Sequence, residues 1–159
     1  MVGTFADVVV ADAIVKNVPG FDLHVAVDAL MKDSFVEPPA ISGGAAGKDG
    51  LNRYTQFGYI PEDTPRAGES VSRTLDFGFA DYSVAQAFHK LANTPEFASR
   101  KDELLQKAVE LERRATRSPE SMFDKNHGLM VPKNSRGVFN HGFNPITWGN
   151  GFTEGIFYL

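Results

Sequence analysis

The strongest constraint on this chain is a joint of two residues, Asn93 and Thr94, between two long amphipathic stretches. Upstream, Ser70 is placed to cap a helix running to about Ala92, with Val71, Leu75, Phe79, Tyr82 and Leu91 on one broad face. Downstream, Thr94-Pro95-Glu96 spells a helix start: a capping hydroxyl, proline in the first turn and an acid near the positive end of the dipole. Leu104, Ala108, Leu111 and Ala115 then form a stripe at spacings of 4, 3 and 4. Two helices with so short a connector have little choice but to pack antiparallel as an αα-hairpin. The expected seam contains Phe79, Leu91, Leu104 and Leu111. Glu103 with Lys107 and Glu110 with Arg114 are expected to pair at i,i+4 on the wet side, and Arg73 with Asp76 on the first helix. Pro119 is expected to close the second helix near Ser118, or to open a short turn toward Phe123.

The remaining segments are shorter. A helix is expected from about Phe5 to Val15, although the valines Val8 to Val10 would also suit a strand. Asp22 is placed to cap another helix through about Lys32, with Leu23, Val27 and Leu30 inward. Residues 37–50 and 58–69 read as loops by their Pro and Gly content, with a short helix over Leu51 to Gln56 between them. Leu129 to Val131 and Val138 to Phe139 are expected to form a small hairpin about a Lys133 to Gly137 turn. Thr153 can cap one more helix beginning at Glu154. The fold class is therefore mainly all-α, built from antiparallel helix pairs with long loops and one possible β-hairpin. Long loops on a helical scaffold are where sites usually lie.

Composition narrows the function. The chain has 159 residues, the size of one domain, and a net charge of -4. That charge offers no basic field for nucleic acid or an acidic membrane. With no cysteine, disulfides and thiolate metal sites are excluded. The apolar opening FADVVVADAIV carries Asp7 and Asp12, is too short to span a bilayer and makes a poor secretory signal. The four histidines, His24, His89, His127 and His141, are scattered and share no ligand spacing. No phosphate loop, zinc helix, nucleophile elbow or calcium-binding EF-hand loop is present.

One acid stands out. Glu154 lies in WGNGFTEGIFYL, where Trp148, Phe152, Phe157 and Tyr158 can stack on a sugar or desolvate a carboxyl, raising its pKa toward that of a general acid. Gly149, Gly151 and Gly155 would let the backbone approach a ligand closely.

The order of MVGTFADVVVADAIVKNVPGFD, YTQFGYIPED, ESVSRTLDFGFADYSVAQ, GLMVPKNSRGVF and WGNGFTEG resembles the catalytic domain of glycoside hydrolase family 92, the calcium-dependent exo-acting α-mannosidases. The resemblance spans nearly the whole chain. It implies part of an (α/α)6 toroid, with a β-sandwich domain upstream in the family. It also implies inverting removal of terminal mannose from glycans, with the glutamate of TEG, here Glu154, as general acid; Trp148 is the aromatic expected against the substrate. In that family the catalytic base and most calcium ligands lie in motifs downstream of TEG. The chain is accordingly expected to be a catalytic-domain segment, residues 1–159, that holds the acid but neither the base nor a metal site of its own, and to be inactive alone. A parent that is secreted or periplasmic would fit that role. Asp81, Asp124 and His127 are the places to look for a base within it. Two departures from the family pattern are EGIFYL in place of EGNAWQY, and Ala80-Asp81-Tyr82 in place of paired acids before an aromatic. The rival expectations are a remnant that binds glycan weakly through Trp148, and a helical interaction module.

Overall fold

The computed structural model describes residues 5–39, 47–65 and 68–144. Within them α1 spans Phe5–Val15, α2 Leu23–Phe35, α3 Leu51–Phe57, α4 Ser70–Leu91 and α5 Lys101–Met122. A 3-10 turn over Pro95–Arg100 joins α4 to α5. Two-residue strands, β1 (Phe123–Asp124) and β2 (Leu129–Met130), pair antiparallel, Phe123 opposite Met130 and Asp124 opposite Leu129. No helix among the described residues is long and apolar enough to cross a membrane.

The hairpin forms as the connector requires. Gly78 of α4 lies against Ser118 of α5, Asp81 against Arg114, and His89 against Glu112, so the two helices run in opposite directions. Leu91, Leu104 and Leu111 are buried in their seam, where α1 and α2 add Ile14, Val27 and Leu30 to one core. Each such side chain contributes roughly 1.5–3 kcal/mol on burial.

Phe79 is not in that seam. It is 54% exposed and Tyr82 is 53% exposed. Among the buried residues of α4, Val71, Thr74, Gly78, Asp81, Ala85 and Phe88 follow one another at alternating spacings of three and four. Gly78 and Ala85 keep that line small, and Asp81 on it is paired with Arg114 of α5. The bulkier Leu75, Phe79 and Tyr82 form a second apolar row on the flank. The sequence pattern followed that row.

Several end signals act differently from expectation. Asp22 caps α2 as anticipated, its Oδ1 accepting the amides of His24 at 2.8 Å and Val25 at 3.1 Å. Ser70 is already inside α4, whose cap position is Glu69 in the left-handed conformation without a side-chain cap bond. The Thr94 hydroxyl donates backward to the Leu91 carbonyl at 2.7 Å rather than capping the next helix. Non-helical dihedrals at Phe97 kink the 3-10 segment itself, and α5 begins only at Lys101. Pro119 neither closes α5 nor opens a turn: the helix runs through it to Met122. The proline costs the helix its amide bond to the Ala115 carbonyl without ending it.

Candidate functional site

At one end of the hairpin, where α5 finishes and α4 starts, two of the loops are fastened together. The Glu62 amide donates to the Lys133 carbonyl, the Tyr59 hydroxyl to the Asn134 carbonyl, and Asn140 Nδ2 to Glu62, all between 2.8 and 2.9 Å. Asp63 accepts both the amide and the hydroxyl of Ser135 at 2.9 and 2.7 Å. Those bonds, the Ser135 hydroxyl foremost, hold the Asp63 carboxyl below the usual carboxylate range. Lys133 sits between the rings of Tyr59 and Phe139, at 4.7 and 4.8 Å, and donates to the Ser121 carbonyl. Burial pushes its pKa down.

The expected hairpin is only half formed. Lys133 bridges to Phe139, and Asn134 closes the intervening turn by accepting the amides of Arg136 and Val138. Leu129 and Met130 pair instead with Phe123 and Asp124, because the turn at Gly128, with φ of +67°, sends them straight back along the end of α5.

That turn assembles a cluster. Asp124 is 3% exposed, and its Oδ1 accepts the Asn126 amide at 2.9 Å. Its Oδ2 lies 2.6 Å from His127 Nδ1 and 3.6 Å from His141 Nε2, and the two imidazole rings meet edge to face at 4.5 Å. The Asn126 amide, then the His127 ring, hold the Asp124 carboxyl below its ordinary range. The histidines share no ligand spacing along the chain, yet the fold brings His127 and His141 to one carboxylate. The usable signal was local: His127 follows Asp124 by three residues, while His141 is returned to them by the Lys133–Phe139 bridge.

A second cluster is buried between the helices. Lys48 is fully buried, 2.7 Å from Asp81 and 3.5 Å from Asp7. Arg114 Nε lies 3.1 Å from the other Asp81 oxygen, and its Nη2 donates to the Ser34 carbonyl at 3.0 Å. Arg114 was expected on the wet face with Glu110. It is 4% exposed, because a buried aspartate on α4 needs its charge. Lys107 lies 3.6 Å from Glu110, Glu103 bonds Arg100 rather than Lys107, and Arg73 faces Asp49 and Glu69 at 3.9 and 4.0 Å. Burial first, then a hydrogen bond with Asp33, raises the Asp7 pKa to about 7 against the opposing pull of Lys48.

Of the residues singled out in the sequence, Trp148 and Glu154 lie outside the described residues, as does the helix expected at Glu154. Asp81 is enclosed by two cations and closed to water, so it cannot serve as a base. Asp124 and His127 are together, near the surface. Calcium, implied by the resemblance, requires about 6 to 8 oxygen ligands. The one His and acid cluster of metal-ligand geometry among the described residues offers a carboxylate and two imidazole nitrogens, which do not fit it.

The described residues are mainly helical, an antiparallel helix pair with two of its loops tied together at one end. Residues 1–158 match the glycosyl hydrolase family 92 catalytic domain, and the chain belongs to that family. The chain is similar to a family GH92 α-mannosidase from Bacteroides thetaiotaomicron, at 30% identity and a TM-score of 0.69, over 94% of this chain and 17% of that one. That enzyme has also been solved in complex with mannoimidazole. A GH92 inverting mannosidase from Bacteroides thetaiotaomicron VPI-5482 shares the fold at a TM-score of 0.79 and 24% identity, over 98% of this chain and 19% of that one. An uncharacterized secreted glycosidase of Arthroderma benhamiae is 40% identical over 89 residues, 52% of this chain and 11% of that protein. The chain thus spans less than a fifth of the length of each of these relatives.

Proposed function

We propose that this chain is part of an inverting exo-acting α-mannosidase, supplying the general acid, Glu154, and a sugar-stacking aromatic, Trp148, toward terminal mannose on a glycan. The observation that carries this reading is the family match over residues 1–158, together with 30% identity to a family GH92 α-mannosidase. The cross-tied loops at 59–63 and 131–140 support it. They fasten the chain as far as Asn140 to one end of the helical hairpin, the kind of rigid support on which a site is built.

Inverting hydrolysis places acid and base roughly 6.5–9.5 Å apart, with the water between base and sugar. The base, and the calcium of the family, would come from other parts of a complete catalytic domain. Glu154 would protonate the departing oxygen. Its value should therefore depend on how badly the leaving group needs that proton. In the complete enzyme, Glu154→Gln should lower turnover of mannosides with poor leaving groups by about 10²–10⁴-fold. Mannosides with an activated leaving group should lose far less. Equal losses on both would show that Glu154 holds the sugar or the fold and that another group is the acid.

A further inference from the structure

We infer that Asp124, His127 and His141 form a binding site for a zinc-class divalent cation that clamps the segment leading out of α5. The three ligand atoms, one from each residue, lie within 4.8 Å of one another. A tetrahedral zinc ion with bonds of about 2.0–2.2 Å sets its ligands about 3.3–3.5 Å apart. The His141–Asp124 separation, 3.6 Å, already matches. The His127–Asp124 separation, 2.6 Å, is that of a hydrogen bond, so the ion would replace its proton and part that pair by less than an ångström, while the two imidazole nitrogens, within 4.8 Å, would draw together.

The donor set selects the metal. Two imidazoles and one carboxylate suit zinc and its late first-row neighbours and leave calcium and magnesium, which take oxygen, poorly served. The site is also supported from behind. Asp124 is held by the Asn126 amide on its other oxygen, the outer contact that fixes a metal-binding carboxylate. His127 and His141 are 43% and 50% exposed, so water can complete the coordination. The ion would join a turn at the end of α5 to a residue beyond the Lys133–Phe139 bridge. His141 precedes Trp148 by seven positions, so the clamp fixes the start of the stretch that carries Trp148 and Glu154.

The test is calorimetric titration of the chelator-treated intact chain with zinc chloride and, separately, calcium chloride. Zinc should bind at one site. His127→Gln and His141→Gln, both at half-exposed positions and checked for unchanged circular dichroism, should each weaken it at least about 10-fold. Cobalt should give the intense visible absorption of four-coordination, lost in His141→Gln. Absence of zinc binding, zinc affinity unchanged in both variants, or displacement of zinc by calcium would each overturn the site.

Discussion

Asp7 shows what one buried carboxyl does to the stability of the whole chain. Its Oδ2 is 3.5 Å from Lys48, too far for a strong hydrogen bond, and Asp33 shares its surroundings. Burial first, then the proton shared with Asp33, raises its pKa from 3.8 to about 7, against the pull of Lys48. The folded chain therefore binds a proton that the unfolded chain releases at lower pH. Its contribution to stability is fully present below pH 3.8 and is lost as pH rises through about 7. Asp7→Asn should remove this dependence. Urea midpoints at pH 5, 6, 7 and 8 should fall for the parent, by on the order of 1 kcal/mol per pH unit at the steepest point. They should run flatter for the variant, and parallel curves would refute the assignment. None of this was legible in the sequence, where Asp7 read only as a charge interrupting an apolar run. The i,i+4 rule that put Arg114 beside Glu110 failed for the same reason, since it sees one helix at a time and Arg114 answers to Asp81 across the seam.

At the scale of elements, sequence signals worked where the determinant was local. α1 and the cap of α2 follow directly from short runs of residues, and α5 follows from its apolar stripe. They failed where a neighbour decided: on α4 two apolar rows compete, and only the partners on either side choose between them. Gly78 shows the choice. A methyl group there would stand 2.6 Å from Ser118 Oγ and 3.4 Å from its Cβ. That hydroxyl is not free to turn away, since it lies 3.2 Å from the Tyr54 hydroxyl and 3.0 Å from the Arg114 carbonyl it bonds. Gly78→Ala gains about 1 kcal/mol of helix propensity but meets an overpacking cost of typically 1–3 kcal/mol. The net expectation is a loss of about 1 kcal/mol in urea unfolding. Adding Ser118→Ala should recover part of the overpacking cost. A stabilised Gly78→Ala would mean that the two helices separate easily there.

For the molecule as a whole, Lys48 is the point where the elements meet. It reaches from the loop before α3 to Asp7 of α1 and Asp81 of α4, and Asp81 in turn holds Arg114 of α5, whose guanidinium reaches the Ser34 carbonyl on α2. The loop is kept over the helices by Glu37, which accepts the amides of Gly50 at 3.1 Å and Asn52 at 2.6 Å. A pairing across 33 residues leaves no periodic trace, and Lys48 falls in a stretch that reads only as loop. Lys48→Met keeps the stem and deletes the charge. Asp81 would retain Arg114, but Asp7 would lose its cation and sit with Asp33 in an apolar surround. Removing one partner from a buried ion network costs about 3–5 kcal/mol, so the variant should unfold at markedly lower urea. The loss should be greater at pH 8 than at pH 5, because the orphaned Asp7 can be protonated only at the lower pH. Hydrogen exchange at the Gly50 and Asn52 amides should accelerate with it, as the loop loses its inner anchor. A loss below about 1 kcal/mol, with those amides still protected, would show that Glu37 and apolar packing hold the loop and that the lysine is only accommodated.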